Sequence, residues 1–439
     1  MKPALRLLLV AAVLRVGLAA VFRSSMVRKE TLQAKLLQEG RAHEFRAAHR
    51  AATAQTPFFD YGNAEYNLQV GVGTPPQLFE VVPDTGTSEA WLVDSTCDPN
   101  NSYNDCPIYC KEPMVCAQVC EAYCCGPPAT PTPPARLFDH GDPCANKRQF
   151  DQTASGTYTA TSKTFNGSSE LGFVSGFLGQ DTYSFGDVAI AGVTFGQADR
   201  LSVSFTNAPM DGLLGLGFAD ADFDGKPSVV QQAIDSGLLD APLFTIWLES
   251  AGGQPFDQPA GAFTLGDVDA EHCSTDWTAA SLASDSIYLL QTTAYGTNGA
   301  RESGDYTASL PTLVSLGAGQ LIVPLAVYVE VTETTDAQFD WDYGTRSACF
   351  LLTLPSSGLY AVDCSIQFTW SVWVNDDTKL TVDQSTLLLP TPDGRCFLNF
   401  VYLEDSLGGV NLVLGTPFLR QYCTLYLPVG RQIAFSRPL

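Results

Sequence analysis

The segments VVPDTGTS, from Val81 to Ser88, and TLVSLGAG, from Thr312 to Gly319, are two variants of one pattern. In each segment an apolar run leads into a turn that contains glycine. Each is followed further along the chain by apolar residues that end in glycine, in DGLLGLG (residues 211–217) and in NLVLGTPFL (residues 411–419). Because the same order occurs twice, the sequence indicates an internal repeat and predicts two related halves.

The rest of the body carries short runs of β-forming residues separated by Gly, Pro and Asp. Tyr66 to Val72 alternates apolar residues with small or polar ones, which is typical of a strand. One of few helices in the body is predicted over Val229 to Leu239, and another helix is predicted over residues 28–49. The sequence therefore predicts a body that is mainly β.

The charge of the chain is unevenly distributed. Its 439 residues include 24 Lys and Arg against 47 Asp and Glu, a net charge of −23. Residues 1–50 carry a balance of +7, whereas residues 51–439 carry −30. Binding to phosphates needs clustered cations, which the body lacks, so neither nucleic acid nor an anionic membrane is expected as a partner.

The first 19 residues have the features of a secretory signal peptide. Lys2 and Arg6 precede the apolar run Leu7 to Leu14, and small residues follow at residues 17–19. A membrane span needs about 20 apolar residues, and no stretch of the chain reaches that length. We therefore expect no membrane span and a secreted or extracellular protein, or alternatively one held in an acidic lumen such as the lysosome.

The cysteines indicate a disulfide-rich insertion. Eight of the 13 lie between Cys97 and Cys144, a density typical of a surface segment stapled by disulfides. Eight cysteines allow 105 pairings, so their connectivity stays open. A metal site is not favoured because no Cys-x-x-Cys pair occurs and His140 is the only histidine nearby. The odd total means that at least one cysteine is free or pairs with another chain.

Several segments together resemble the pepsin-like aspartic peptidases in their zymogen form. Tyr66 to Trp91 is similar to the first catalytic strand and turn of that family, residues 176–179 to the strand that leaves its flap, and residues 412–427 to its closing sheet. Thr31 to Phe45, in the basic leader, resembles the propeptide helix. The resemblance implies an all-β, bilobed fold in which two lobes related by a pseudo-twofold axis enclose a central cleft.

The same resemblance divides the chain into segments. It implies a signal peptide (1–19), a basic propeptide (20–56), an N-terminal β-lobe (57–245) that contains the Cys-rich insertion (97–144), and a C-terminal β-lobe (246–439). Cys364 and Cys396 have the spacing of a disulfide of this family.

In this family two Asp side chains, one from each lobe, hydrolyse the peptide bond. They share one proton because two carboxylates so close cannot both ionise, and one activates water while the other donates to the scissile carbonyl. The resemblance assigns the first Asp to Asp84, with Thr85, Gly86, Thr87 and Trp91 in support. It implies no cofactor and no metal.

The second motif departs from the family pattern. Alignment places Ser315 where the second Asp is expected, Leu316 where a Thr supports the pair, and Gly317 at the glycine of the motif. A serine hydroxyl neither titrates in the useful range nor stores the proton. Asp305 is the nearest upstream carboxylate, but it lies ten residues early and no glycine follows its Tyr-Thr. We therefore expect an incomplete pair.

The predicted flap departs as well. Counting back from Gly176 places Ser169 where the family carries a Tyr, with Gly172 beyond it. Trp91 is therefore expected to lose its usual hydrogen-bonding neighbour. Pro83, just before Asp84, also lacks a backbone donor in what should be a central strand, where proline is unusual.

Other short motifs carry weaker signals. Residues 220–225 begin like a calcium loop, but Pro227 and Gln231 break the pattern, so a solvated loop is favoured. A Ser-His-Asp hydrolase is not supported, because the body has two histidines and no Gly-x-Ser-x-Gly. Asn100 and Asn166 begin Asn-x-Ser sequons, which are glycosylation acceptors in secreted chains.

Two functions fit these observations. The first is a secreted pseudo-peptidase, expected to be a monomer, that binds a peptide or protein segment in the interlobe cleft without efficient hydrolysis. The second is an active aspartic endopeptidase that hydrolyses proteins at acidic pH with Asp84 and water alone. A structural role of the Cys-rich insertion is a lesser third alternative.

Overall fold

The computed structural model describes residues 20–30, 35, 39, 65–99, 142–169, 172–202, 205–206, 208–218, 227–249, 257–300, 310–340, 360–374, 378–391, 393–403 and 409–439. Within these residues the chain is mostly β, which confirms the predicted fold class. The predicted signal peptide and most of the Cys-rich insertion lie outside the described residues.

The strands are numbered along the chain. The first half contains β1 (Phe22–Lys29), β2 (Glu65–Val72), β3 (Gln77–Asp84), β4 (Ala90–Val93), β5 (Thr159–Ser169), β6 (Gly172–Phe185), β7 (Val188–Leu201), β8 (Gly212–Gly215), β9 (Phe244–Leu248), β10 (Gln258–Leu265) and β11 (Thr278–Ser281). The second half contains β12 (Leu289–Thr297), β13 (Leu310–Val314), β14 (Leu321–Pro324), β15 (Gln338–Phe339), β16 (Tyr360–Val362), β17 (Thr369–Val374), β18 (Thr378–Asp383), β19 (Leu388–Pro390), β20 (Cys396–Leu398), β21 (Phe400–Leu403), β22 (Leu412–Leu414), β23 (Cys423–Leu427) and β24 (Gln432–Ser436).

Helices are few and short in the described residues. They are α1 (Val229–Asp235), α2 (Leu325–Thr334), α3 (Gln384–Leu387) and α4 (Thr416–Leu419), with a 3₁₀ turn at Gln152–Ala154. The helix predicted over Val229 to Leu239 is α1, which ends at Asp235. It ends early because Gly237 adopts a left-handed backbone conformation (φ +64°), which suits glycine at a helix end.

The described strands form three sheets. The largest has thirteen strands in the order β11-β24-β23-β9-β10-β1-β2-β3-β8-β4-β7-β6-β5. Because β6 also pairs with β2, six strands of the first half close into a ring. The second sheet has the order β18-β17-β12-β13-β22-β14-β21, and the third has the order β15-β16-β20-β19. The division predicted between residues 245 and 246 falls inside β9, a strand of the sheet that joins the two halves.

The basic leader contributes a central strand of the largest sheet. Strand β1 pairs with β10 on one side and with β2 on the other. Lys29 Nζ, at its end, lies 2.8 Å from a Glu80 carboxylate oxygen and 3.2 Å from one of Asp257. The helix predicted over residues 28–49 is therefore wrong at its start, because Arg28 and Lys29 pair with β2 instead of beginning a helix. Most of its remainder lies outside the described residues.

One hydrophobic core extends through both halves of the chain. Strand β3 alternates, with Phe79, Val81 and Pro83 buried and the residues between them partly exposed, as expected for a half-buried strand. The core joins this strand to Val314 of β13 and Leu414 of β22. The ends of β3 and β13 therefore rest on a common packed base.

Candidate active site

The first motif forms a turn at the end of β3. Strand β3 pairs in parallel with β8, which places Asp84 opposite Gly215. The backbone of Gly215 passes so close that a Cβ there would lie 2.4 Å from the Glu89 carbonyl oxygen. Leu216 N donates a hydrogen bond of 2.7 Å to Asp84 O. Only glycine fits at position 215, and the segment around it holds the Asp84 turn.

Pro83 is compatible with its place in β3. Asp211 N and Leu216 N donate to the carbonyls of Glu80 and Asp84, so the even-numbered residues of β3 direct their backbone groups toward β8. Pro83 therefore directs its nitrogen toward β2. The pairing with β2 ends at Val81, so the missing N–H removes no hydrogen bond between these strands.

The second motif repeats this construction. Strand β13 pairs in parallel with β22, and Ser315 N donates to Leu414 O at 3.2 Å. A Cβ at Gly415 would lie 2.2 Å from the Gln320 carbonyl oxygen and 2.4 Å from that of Ala318. In both halves, therefore, a strand with a closely packed glycine at its end holds the turn of its motif in place. This shared construction is the internal repeat that the sequence indicates.

The two turns meet through hydrogen bonds between the halves. Thr85 Oγ1 donates to Val314 O at 2.8 Å and accepts from Leu316 N at 3.2 Å. Leu316 is buried and has no hydroxyl that could make the reciprocal bond. Ser315 Oγ donates to Asp84 Oδ1 at 3.5 Å, which is at the limit of a hydrogen bond. A carboxylate and a hydroxyl therefore face each other across the two turns.

Asp84 is enclosed by backbone on both sides. Cβ atoms at Gly86 and Gly317 would lie 3.3 Å and 3.2 Å from Asp84 Oδ1, so both glycines allow a close approach. Burial raises the pKa of the Asp84 carboxyl, whereas hydrogen bonds from Gly86 N (2.8 Å) and Ser315 Oγ lower it less. Part of its surface stays accessible. The site therefore holds an acid that retains its proton to a higher pH than an ordinary Asp.

The raised pKa of Asp84 predicts a pH-dependent stability. Between the pKa of the unfolded chain, about 3.9, and the raised value, the folded protein holds a proton that the unfolded chain has released, so its stability falls as pH rises. Asp84→Asn should therefore increase the free energy of unfolding at pH 7 and change it little at pH 3. Denaturant unfolding at both pH values measures this.

Asp393 provides a control of opposite sign. Hydrogen bonds from Arg395 and Thr391 lower the pKa of Asp393 to about 2, so its charged form favours folding. Asp393→Asn should therefore reduce stability at pH 7, or leave it unchanged because the side chain is exposed. An Asp84→Asn protein that is less stable than wild type at pH 7 would contradict the account of Asp84.

The hairpin of β5 and β6 lies beside the Asp84 turn. Ser169 and Gly172 form its last described pair. Their assignment to a flap stays a prediction, and the side chain of Ser169 lies outside the described part of the chain. A Cβ at Gly167 would lie 3.2 Å from Glu89 Oε2, and Glu89 N donates to Thr87 Oγ1 at 3.1 Å. Nothing in the sequence distinguishes Glu89, since only the folded hairpin brings β5 next to it.

Trp91 lies in the core under this hairpin. It belongs to β4, is buried, and packs edge-on against Phe205, with 5.8 Å between ring centroids. The same cluster contains Phe165 of β5 and Val174 of β6. Trp91 therefore supports the base of the hairpin by packing.

Six of the cysteines and one of the two sequon asparagines lie in the described part of the chain. Disulfides join Cys97 to Cys144, Cys273 to Cys423, and Cys364 to Cys396. The other seven cysteines and Asn100 lie outside the described residues, and Asn166 is exposed on β5. Among the described residues no group of three His, Cys, Asp or Glu side chains is placed to hold a metal ion.

Comparison with known proteins matches residues 65–437 to the model of the eukaryotic aspartyl protease family. Aspartic protease 2 of Necator americanus is 29% identical over 383 residues, which cover 86% of this chain and 84% of the relative. Aspartic protease 1 of Caenorhabditis elegans is 28% identical over 428 residues, or 95% of each chain. Bovine (Bos taurus) pepsin A is 24% identical over 433 residues, or 95% of this chain and 99% of the relative.

Proposed function

Since this chain belongs to the eukaryotic aspartyl protease family, we propose that it is a secreted pseudo-peptidase that binds a peptide or protein segment in its cleft and hydrolyses it poorly. The observation that carries the proposal is the pairing of Asp84 with the hydroxyl of Ser315. In our proposal Ser315 occupies the place of the second catalytic Asp. No carboxylate is among the described groups that shift the pKa of Asp84.

A single carboxyl group cannot complete the reaction efficiently. Peptide hydrolysis of this kind needs one group that takes a proton from water and another that gives a proton to the carbonyl or leaving amine. Asp84 can do one of these at a time, and a serine hydroxyl has too high a pKa to do the other. General acid–base groups contribute roughly 10²–10⁴-fold each, so the residual rate should be low.

The site nevertheless retains the features of a cleft that binds an extended segment. Gly86 and Gly317 place no side chain against Asp84, where a Cβ would lie 3.3 Å and 3.2 Å from its Oδ1. The β5–β6 hairpin lies beside it near Glu89, and β5 is the last strand in the order of the largest described sheet, where an extended segment could add as a further strand. A peptide or protein segment is therefore the partner that we propose, with the protein acting as a monomer.

The leader and the disulfides support a secretory route and a zymogen form. Disulfides persist in oxidising compartments, and three are present in the described residues. Strand β1, from the basic leader, forms ion pairs with body carboxylates through Arg23 and Lys29. No helix in the described part of the chain is long and apolar enough to cross a bilayer. We propose secretion or residence in an acidic lumen, with residues 20–56 as the propeptide.

Binding of a statine-containing peptide, measured by calorimetry, tests the proposal. Gly317→Leu places a side chain against Asp84 and should weaken binding at least about tenfold, or 1.4 kcal/mol. Gly430→Leu is the matched control, because Gly430 is exposed and a Cβ there would lie 3.7 Å or more from the nearest atoms beyond its chain neighbours. Failure of the wild-type chain to bind the peptide, or equal binding by Gly317→Leu, would contradict a peptide-binding cleft.

An active acid endopeptidase is the second candidate. Its support is the raised pKa of Asp84, which keeps this carboxyl protonated to a higher pH than an ordinary Asp and so provides one half of the acid–base pair. In that case hydrolysis should require Asp84 and cease in Asp84→Asn. Turnover of an unfolded protein at acidic pH, compared between the wild-type chain and Asp84→Asn, separates the two candidates.

A further inference from the structure

The hairpin of β5 and β6 has one buried face and one exposed face. Phe165 of β5 and Val174 of β6 lie in the buried cluster that also contains Trp91. Side chains alternate between the two faces of a strand, so Asn166 and Phe173 lie on the opposite face. Both residues are exposed, as this alternation predicts. The face that carries them is therefore turned away from Trp91 and toward solvent.

Phe173 is a large apolar side chain on this exposed face. It is 54% exposed, and no other phenylalanine in the described residues is more than half exposed. Its backbone is held in place, since Phe173 N donates to Ser202 Oγ at 2.9 Å and Phe173 O accepts from Ser202 N at 2.9 Å. The exposure of the ring is therefore a property of the folded strand. A single exposed apolar side chain is common at protein surfaces, and what distinguishes Phe173 is its neighbour.

This neighbour is Asn166, the first residue of the sequon Asn166-Gly167-Ser168. The register of the hairpin pairs Asn166 with Ser175 and Ser168 with Phe173, so Asn166 and Phe173 are diagonal neighbours on one face. Diagonal neighbours of an antiparallel pair lie about 7–8 Å apart, which is within reach of long side chains. A sugar ring attached to Asn166 Nδ2 makes this a long side chain, so the sugar reaches the ring of Phe173.

We propose that Asn166 carries an N-linked glycan whose first N-acetylglucosamine packs against the ring of Phe173. The C–H groups on one face of a pyranose ring form an apolar surface that matches the face of an aromatic ring. Contact between them removes apolar area of both from water, whereas the hydroxyls of the sugar remain hydrated. The glycan therefore covers the phenylalanine that the folded hairpin leaves exposed.

Attachment of the glycan takes place in the secretory route. A bond forms between Asn166 Nδ2 and C1 of the first sugar, while the bond from C1 to the diphosphate of a lipid-linked oligosaccharide breaks. Nδ2 loses one proton, and the lipid diphosphate leaves. The inference rests on the proposed function in one respect, the secretory route. The glycan leaves the proposed cleft free, because it stands on the face of the hairpin that is turned away from Trp91 and Glu89.

Expression in eukaryotic cells tests the modification. The chain from residue 20 onward follows a signal peptide of proven function, so that entry into the secretory route does not depend on its own leader. Asn100→Gln leaves a single sequon. Peptide-N-glycosidase converts a glycosylated Asn to Asp, and mass spectrometry of the peptide that contains residue 166 then gives the occupancy. We expect most chains to be modified, and Ser168→Ala to abolish the modification.

The opposite result is equally clear. Mostly unmodified Asn166, in chains from which the signal peptide has been removed, would overturn the proposal whether those chains are secreted or retained in the cell. Secretion directed by the natural leader is measured separately. Its failure would contradict the proposed secretory route and leave the result for Asn166 unaffected.

Thermal unfolding tests the contact with Phe173. An endoglycosidase trims high-mannose glycans to the first N-acetylglucosamine, and the trimmed chain is compared with Ser168→Ala. The trimmed chain should unfold at a temperature about 1–2 °C higher. The same comparison in a Phe173→Ser background should give no such difference, because the ring that the sugar covers is gone.

Leu78→Ser is the matched control for Phe173→Ser. Leu78 is also about half exposed, at 52%, but it lies on β3, where it pairs with Gly71 of β2. In this background the trimmed chain should keep its higher unfolding temperature. Equal gains in the Phe173→Ser and Leu78→Ser backgrounds, or no gain in the chain that retains Phe173, would overturn the contact between the sugar and Phe173.

Discussion

The double variant Ser315→Asp/Leu316→Thr should hydrolyse an unfolded protein at acidic pH at least about 100 times faster than the wild-type chain. Position 315 already lies within 3.5 Å of Asp84, so a carboxyl there would share a proton with it. Thr at 316 would supply the hydroxyl that reciprocates the bonds made by Thr85. Release of new amino groups from acid-unfolded protein measures the rate.

Two further variants control this prediction. Ser315→Asp alone should hydrolyse the substrate little faster than the wild-type chain. Leu316 still has no hydroxyl to reciprocate the hydrogen bonds that Thr85 makes between the two turns. Adding Asp84→Asn to the double variant should abolish the gain, since the pair again has one carboxyl. A folded double variant no faster than wild type would show that Ser315 and Leu316 are not what limits hydrolysis, and a full gain from Ser315→Asp alone would show that Leu316 is irrelevant.

Gly415→Ala should reduce the free energy of unfolding by about 3 kcal/mol or more. A Cβ at this position would collide with two backbone carbonyls, at 2.2 Å and 2.4 Å, and backbone cannot move aside as a flexible side chain can. The second turn would have to shift, together with the contact between Ser315 and Asp84. Denaturant unfolding, with the slope checked for two-state behaviour, gives the change.

Gly430→Ala serves as the control for Gly415→Ala. The nearest atoms to a Cβ at Gly430 lie 3.7 Å or more away, so its effect should stay within about 0.5 kcal/mol. If Gly415→Ala were as well tolerated as Gly430→Ala, the close approach of Gly415, just after β22, to the carbonyls of Ala318 and Gln320 would be wrong.

The repeat could be predicted from sequence because each of its motifs is a short continuous segment of the chain. Asp84 and Ser315 follow apolar strands directly, and the glycines opposite them have a recognisable motif of their own. The resemblance carried by these motifs gave the fold class. What it could not give is which distant strand comes to lie against the first turn, such as β5 beside Glu89.

Pairing between segments that are distant in sequence explains the other differences between the sequence predictions and the structure. Arg28 and Lys29, the last two residues of β1, are predicted to begin a helix, but in the fold they pair with β2. The Cys273–Cys423 disulfide joins residues 150 positions apart, and several other pairings of the same cysteines were open. Tertiary contacts of this kind override local preference, because most strand stability comes from neighbouring strands.

Turnover by the wild-type chain tests the central claim most directly. The purified chain, before and after cleavage of its leader, is incubated at acidic pH with an unfolded protein, with and without a statine-type transition-state inhibitor and beside Asp84→Asn. We predict cleavage no faster than that of Asp84→Asn within about tenfold, since one carboxyl cannot supply both proton transfers. Rapid cleavage that the inhibitor stops and Asp84→Asn lacks would contradict the account and identify an active endopeptidase.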